Sequence, residues 1–251
     1  MKILICGAGG FIGGHLTKNL MEEGHEIVCV DIKPFEYWFQ FFEVNKNFSL
    51  DLQNYENCLK VTKNIDYVFN LACNMGGMGF IENNKAECMQ SVLINTNLLI
   101  ACKEDGVKRY FFSSSACAYN KSKQQDVFIN GLKENDAYPA DPEDGYGWEK
   151  LFSERMCRHF MEDYGLEVRV ARYHNIYGPY GTYDGGREKA PAALCRKVIQ
   201  ARKDKNDTID VWGDGEQTRT FLYVDECVEG TLRLFESDYS EPVNIGSDEQ
   251  V

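Results

Sequence analysis

The sequence predicts an α/β fold, a doubly wound and mostly parallel sheet followed by a smaller C-terminal region. Three observations lead there. Short apolar runs alternate with segments of helical periodicity, the pattern of repeated β-α-β units. A glycine-rich stretch joins the first run to the first helical segment. After Ala171 the texture changes, because Tyr173 to Gly186 is dense in Tyr and Gly. The expected division is a first domain over 1–172 and a second over 173–251, interleaved with the sheet and incomplete at its end.

Taken in order, strands are expected at Lys2 to Cys6, Glu26 to Val30, Asp66 to Leu71, Arg109 to Ser113 and Glu167 to Ala171, each a short run rich in apolar residues. Between them, 3.6-residue periodicity predicts helices over Ile12 to Glu23, Tyr55 to Lys63, Asn84 to Asp105 and Tyr146 to Tyr164. Two more helices are expected near Pro191 to Arg202 and Asp225 to Ser237. The polar segment Lys121 to Lys133 reads as a solvated excursion. Phe35 to Phe42, crowded with aromatic residues, matches no period.

Composition narrows the function classes. The 251 residues carry 27 Lys and Arg against 39 Asp and Glu, a formal charge of −12. That balance argues against nucleic acid or an anionic membrane as partner, since both need a basic face. There is no apolar run of 18 residues, so no membrane-spanning helix is expected. The opening Lys2-Ile3-Leu4-Ile5-Cys6 resembles a signal peptide in its charge and apolarity, but glycine interrupts it and a helical pattern follows, so the chain reads as cytoplasmic. Ten cysteines never come closer than 14 residues, and no CxxC occurs, which removes zinc-ribbon and thioredoxin-like readings. They read as core thiols of a reducing compartment, and no metal is expected.

Gly7-Ala8-Gly9-Gly10-Phe11-Ile12-Gly13 lies between a strand and a helix, where glycines let backbone N–H groups approach a pyrophosphate at the helix start. Asp31 stands 18 residues after Gly13, at the end of the second strand, placed to accept hydrogen bonds from both adenosine ribose hydroxyls. Together they specify a Rossmann-type dinucleotide site built on Gly7, Gly10, Phe11, Ile12, Gly13 and Asp31. The carboxylate disfavours an extra ribose phosphate, so NAD is expected over NADP. Asp51 and Leu52, after the third strand, are candidates to hold the adenine, and Leu71 and Ala72, after Asn70 at the end of the fourth, are candidates to pass beneath the cofactor.

Tyr146 and Lys150 are four residues apart, hence on one face of a helix. An ammonium beside a phenol stabilises the phenolate and brings it toward the range of a general base. The run Ser113-Ser114-Ser115 ends the preceding strand, where a hydroxyl completes a proton relay to a substrate alcohol.

With these motifs in this order, the chain resembles the extended short-chain dehydrogenase/reductase family, the NAD-dependent epimerases and dehydratases of nucleotide sugars. The resemblance runs from the first strand to the end of the sequence. It implies that Tyr146 takes a proton from a sugar hydroxyl while NAD accepts hydride from the same carbon, that Lys150 also holds the nicotinamide ribose, and that Ser115 assists. It further implies a homodimer, formed by the helices near Asn84 to Asp105 and Tyr146 to Tyr164.

Five stretches narrow the resemblance to the branch that inverts C3 and C5 of GDP-mannose. They are Asn74-Met75-Gly76-Gly77-Met78-Gly79-Phe80-Ile81, Ser115-Ala116-Cys117-Ala118-Tyr119, His174 to Pro179, Gly185-Gly186-Arg187-Glu188-Lys189-Ala190-Pro191, and Trp212 to Arg219. The branch implies a 4-keto intermediate whose acidified C3 and C5 protons are exchanged by Cys117 and Lys189. A nearby cation is expected to lower the thiol pKa, and a partly dry cleft to lower that of the lysine. The same resemblance implies substrate contacts from Gly76, Ser115, Ala116, Cys117, Asn175, Arg187, Glu188, Lys189, Ala190, Lys197, Gln217, Thr218 and Arg219, with Arg219 forking onto a phosphate.

Three alternatives stay open. A 4,6-dehydratase of the family carries an Asp-Glu pair where Ala116 and Cys117 stand here, a 4-epimerase needs no Cys/Lys pair, and a non-catalytic NAD-binding member tends to lose the Tyr/Lys pair that this chain keeps. Two departures from the branch are visible. Asn120 replaces a proline, which predicts a looser loop around Cys117, and the chain stops at Val251 where the branch continues its substrate region.

Overall fold

The computed structural model describes residues 1–124, 131–211, 213 and 218–251. Seven strands form one parallel sheet: β1 (Lys2–Cys6), β2 (Glu26–Asp31), β3 (Lys46–Ser49), β4 (Tyr67–Asn70), β5 (Arg109–Ser115), β6 (Glu167–Tyr173) and β9 (Val243–Ile245), in the spatial order β3-β2-β1-β4-β5-β6-β9. The middle strands are apolar on both faces because both faces are covered. Leu4, Cys6, Val28, Val30, Tyr110 and Phe112 point into one core, while Ile3, Ile5, Ile27, Cys29 and Phe111 point into the other. The first core is closed by α2 (Tyr55–Thr62), α5 (Ser91–Asp105) and α6 (Asp144–Tyr164), the second by α1 (Phe11–Glu22) and α8 (Val224–Glu236). This is a Rossmann-like, doubly wound fold.

The strand order reverses at β1, which pairs with β2 on one side and β4 on the other. In such sheets the crevice beyond the strand ends at that reversal is where a ligand sits. A second, two-stranded parallel sheet of β7 (Asn175–Tyr177) and β8 (Phe221–Tyr223), together with α7 (Ala190–Asp204), belongs to the C-terminal region. That region also returns to the main sheet, since β9 pairs with β6 in the register Ala171↔Val243.

The five expected strands are present, and two further members of the sheet carry too little pattern to be read in advance. β3 is four residues with polar Lys46, Asn47 and Ser49, and β9 is three residues long. The helix expected over 84–105 is interrupted. It divides into α4 (Lys85–Met89) and α5 around Gln90, with α3 (Met78–Asn83) preceding them. Buried Ser91 accepts the Asn74 amide at 2.9 Å, tying the break to the loop after β4.

The segment 35–42 packs on the glycine turn. Trp38 is buried, stacks edge-on with Phe35, and donates its indole N–H to the Lys33 carbonyl at 2.9 Å. Within Lys121–Lys133, residues 121–124 form a 3-10 turn, and 125–130 lie outside the described residues.

Candidate functional site

The glycine turn is built for close approach. A Cβ on Gly13 would stand 2.2 Å from the Gly7 carbonyl oxygen, so only glycine lets α1 start this near β1. The N-cap Gly10 provides no side-chain acceptor, and the first turn of α1 contains no carboxylate. The amides of Phe11 and Ile12 are therefore open to an external anion, helped by the helix dipole. At the end of β2, Asp31 is buried, and one of its oxygens accepts the Lys33 amide at 3.0 Å. Burial pushes its carboxyl up, partly opposed by Lys33. The Lys33 ammonium donates to the Gly9 carbonyl at 2.6 Å and lies 4.2 Å from the Phe39 ring centre. Open amides, a turn that tolerates no side chain and a buried acceptor fit a dinucleotide.

The floor of this crevice is the end of β4. Buried Asn70 donates to the Tyr110 hydroxyl at 2.8 Å and accepts the Ala72 amide at 3.2 Å, and Leu71 donates its amide to Cys6 at 3.0 Å. Leu71 and Ala72 thus run directly against the glycine turn. Asp51 is exposed, with its carboxylate turned back on the Gln53 amide at 2.8 Å, and Leu52 is buried in the core.

The candidate catalytic residues join α6 to the end of β5. Tyr146 and Lys150 lie one turn apart on the buried face of α6, 6% and 1% exposed. The Lys150 ammonium is 5.5 Å from the Tyr146 ring centre and 4.8 Å from that of Phe112. Burial holds the Tyr146 phenol well above its ordinary range and Ser115 only partly opposes this, so the lowering expected from Lys150 is corrected: desolvation outweighs it. Ser115 also caps the 3-10 turn 116–118, accepting the Cys117 amide at 3.2 Å. Cys117 is thereby brought next to Tyr146.

Three cysteines depart from the core-thiol reading, two of them beside Tyr146. Burial raises Cys117, and the nearby Lys189 only partly offsets it, so the expected low thiol pKa is corrected: desolvation outweighs the cation. Lys189 is lowered by burial, as expected. Cys73, just past β4, packs beside Tyr146 and lies within electrostatic reach of Lys150. Its sequence signal was only its place two residues after Leu71. Seven of the other cysteines are buried core thiols and Cys195 is exposed. The loop bearing Cys117 is not loosened by Asn120. That buried side chain donates to the Pro139 carbonyl at 2.8 Å and accepts the Ser122 amide at 2.9 Å, replacing proline stiffness with hydrogen bonds.

Two glycine-rich stretches meet to place Lys189. Gly77 donates its amide to the Arg187 carbonyl at 3.0 Å, and a Cβ on Gly77 would lie 2.6 Å from the Glu188 carbonyl oxygen. Arg187 donates to Asn74 Oδ1 at 2.7 Å and to the Met75 carbonyl at 3.1 Å, with its guanidinium 3.7 Å from the Phe80 ring centre. The Glu188 carboxylate accepts from Arg196 at 3.0 Å and from the Gly186 amide at 2.7 Å. Arg187 and Glu188 therefore hold this junction. Gly76 is buried within it, Ala190 is exposed at the start of α7, and Ala116 is half-buried beside Cys117.

The remaining candidates lie farther along. Asn175 donates to the Thr220 carbonyl at 3.1 Å, and Lys197 to the Asp210 carbonyl at 2.6 Å. Thr218 is half-buried, while Arg219 is exposed and bonds to the Thr218 carbonyl at 2.7 Å. Gln217 lies outside the described residues. Glu149, beside Lys150 and fully buried, was missed. It sits one position from a read motif, and nothing in the sequence marks which way it faces.

The sequence matches the NAD dependent epimerase/dehydratase family over residues 3–246. It is 52% identical to GDP-mannose 3,5-epimerase 1 of Oryza sativa subsp. indica and 50% identical to GDP-mannose 3,5-epimerase of Arabidopsis thaliana, in alignments covering 100% of this chain and 65% and 66% of those proteins. The chain thus spans just under two thirds of the length of these curated relatives. Among solved structures it is similar to UDP-glucose 4-epimerase of Thermotoga maritima with UDP-glucose, at a TM-score of 0.87 and 26% identity, covering 100% of this chain and 78% of that one. MoeE5 in complex with UDP-glucose and NAD superposes at a TM-score of 0.78 with 28% identity, again over 100% and 78%.

Proposed function

The chain belongs to the NAD dependent epimerase/dehydratase family, and from that premise we propose that it uses NAD to invert C3 and C5 of GDP-mannose through a 4-keto sugar, giving GDP-L-galactose. Gly7, Gly10, Phe11, Ile12 and Gly13 would receive the pyrophosphate, Asp31 the adenosine ribose, Asp51 and Leu52 the adenine, and Leu71 and Ala72 the underside of the cofactor. NAD supplies a reversible hydride acceptor for C4.

Tyr146, whose phenol burial keeps protonated in the ligand-free chain, would take the C4 hydroxyl proton after losing its own, a loss that Lys150 and the positive charge of bound NAD would favour. Ser115 would assist, and Lys150 would hold the nicotinamide ribose. A ketone at C4 makes the C3 and C5 protons acidic, because the carbanion spreads into an enolate. Inversion then needs an acid on one face and a base on the other. Cys117 and Lys189 suit that division, since burial keeps a proton on the thiol and loosens one from the amine. Gly76, Ala116, Asn175, Arg187, Glu188, Ala190, Lys197, Gln217, Thr218 and Arg219 frame the sugar nucleotide in this reading.

The observation that carries the proposal is the Gly77–Glu188 approach, which sets Lys189 within electrostatic reach of Cys117. A simple 4-epimerase has no use for that pair. Incubation with GDP-mannose in heavy water tests it. Deuterium is expected at both C3 and C5, its absence from both would sink the reading, and a 4-epimer or a 4-keto-6-deoxy product would point to the other family chemistries.

The same proposal divides the chain into a cofactor half over 1–172 and a substrate half over 173–251. It extends to a homodimer through α5 and α6, supported by exposed Leu93, Trp148 and Phe152 on those helices. It also extends to a cytoplasmic setting, supported by ten unpaired thiols. Among the described residues, no helix is long and apolar enough to cross a membrane.

A further inference from the structure

We propose that Glu149 is a positioning residue of the reaction centre, the buried counter-ion that keeps Lys150 charged and aimed at Tyr146. The role rests on the reading of Tyr146 and Lys150 given above.

Glu149 is 2% exposed and Lys150 is 1% exposed. One Glu149 oxygen accepts from Ser153 at 3.0 Å. The other, Oε2, is buried without a hydrogen-bond partner and stands 3.5 Å from the Lys150 ammonium. A buried carboxylate oxygen left unpaired costs stability, so its retention asks for a reason. The reason is Lys150. An ammonium removed from water and left alone loses its proton to become a neutral amine, and a neutral amine can neither hold a ribose hydroxyl by a charge-assisted bond nor favour a phenolate.

The groups around this pair come from several elements. Facing Lys150 are the rings of Phe112 from β5 and Tyr146 from α6, Cys73 after β4 and Cys117 after β5. Cys88 on α4 and Cys157 on α6 lie within electrostatic reach of Glu149. Burial raises Cys73, Cys88, Cys117, Cys157 and Tyr146, so all are neutral at pH 7. The ammonium is held above its ordinary value despite burial, by Cys73 where that thiol ionises and by Glu149, the carboxylate of the set, which burial also raises and which Lys150 and Ser153 pull back down. Glu149 also opposes ionisation of Tyr146 directly. Its benefit therefore runs through Lys150 rather than through the phenol.

The ¹⁵Nζ resonance of Lys150, assigned by its absence from Lys150→Arg protein, can be titrated in lysine-labelled enzyme without ligand. In Glu149→Gln, which keeps an acceptor for Ser153, the Lys150 midpoint is expected to fall by about one pH unit or more, and Glu149→Asp to recover part of the shift. NAD affinity of Glu149→Gln is expected to match wild type at pH values below the variant's lowered Lys150 midpoint and to fall progressively behind it as pH rises through that midpoint. An unchanged midpoint, or an affinity deficit that stays constant with pH, overturns the proposal. If Glu149→Gln does not fold, the Glu149→Asp midpoint decides alone. Failure of the wild type to bind NAD would undo the cofactor reading, whereas the lysine midpoint reports on Glu149 in either case.

Discussion

At Asp31, folding and binding pull in opposite directions. Burial raises its carboxyl, so the folded chain holds that proton more tightly than the unfolded one. The associated stabilisation is full below the ordinary carboxylate pKa of about 3.9 and is lost as pH rises through the folded value. At neutral pH the ionised group is carried at a net cost. Asp31→Asn is therefore expected to leave the melting temperature of ligand-free protein unchanged or higher, while NAD affinity drops roughly 10- to 100-fold from loss of charge-assisted bonds to ribose. Calorimetric melting and titration with NAD check both halves. Cys117→Ala and Lys189→Met are each expected to retain NAD affinity within about threefold while exchange of solvent deuterium into the sugar falls by about 100-fold or more. Asp31, Tyr146 and Lys150 were legible because each is defined by a short spacing from a turn or along one helix. Cys73 and Glu149 were not, because each gains its role from groups brought in by other strands and turns.

Among the elements, α6 does the most to organise the site, because positions 146, 150 and 154 share one face at intervals of four. The third of these, Glu154, forms a buried bidentate pair with Arg172 of β6, at 2.9 and 2.7 Å, and accepts a hydrogen bond from Ser114 of β5. Arg172 also donates to the Glu134 carbonyl at 2.7 Å and lies 4.8 Å from the ring centre of Tyr119, whose hydroxyl donates to Asn244 of β9 at 2.6 Å. One charge pair thus ties the serine run on β5, the helix of Tyr146 and β6 into a single register. Glu154→Ala leaves a guanidinium buried and unpaired, and a loss of about 3–5 kcal/mol in urea unfolding is expected, with Glu154→Met combined with Arg172→Met losing less. A different element effect is expected from Gly77→Ala. The added methyl must displace the Glu188 backbone, so exchange at C3 and C5 is lost while NAD affinity, set some distance away, persists. The heavy-water assay beside an NAD titration separates the two. β3 escaped the sequence reading because three of its four residues are polar, and β9 because three residues hold too few side chains for a period to emerge.

On the scale of the whole molecule, the exposed apolar side chains of α5 and α6 bear on assembly. Trp148 and Phe152, 44% and 50% exposed, are one turn apart on α6, and Leu93 is 45% exposed on α5. The proposed dimer gives these residues a partner, so Phe152→Glu is expected to shift the sedimentation coefficient to that of a monomer without altering the far-ultraviolet dichroism. A wild-type monomer at micromolar concentration would count against the dimer. The same scale separates what chain order carries from what folding adds. By itself the sequence determined five of the seven strands of the main sheet, most of the helices between them, and the placing of the nucleotide turn, Asp31 and the Tyr146–Lys150 pair, because all of these follow from local periodicity and from glycine sterics over a few residues. Only the tertiary structure decided that Gly77 receives the backbone of Glu188, that Cys117 stays protonated despite its lysine, and that Glu149 faces Lys150 rather than water. Those outcomes depend on desolvation and on contacts between segments as much as 111 residues apart, from Gly77 to Glu188, and no local pattern encodes how much water a side chain loses.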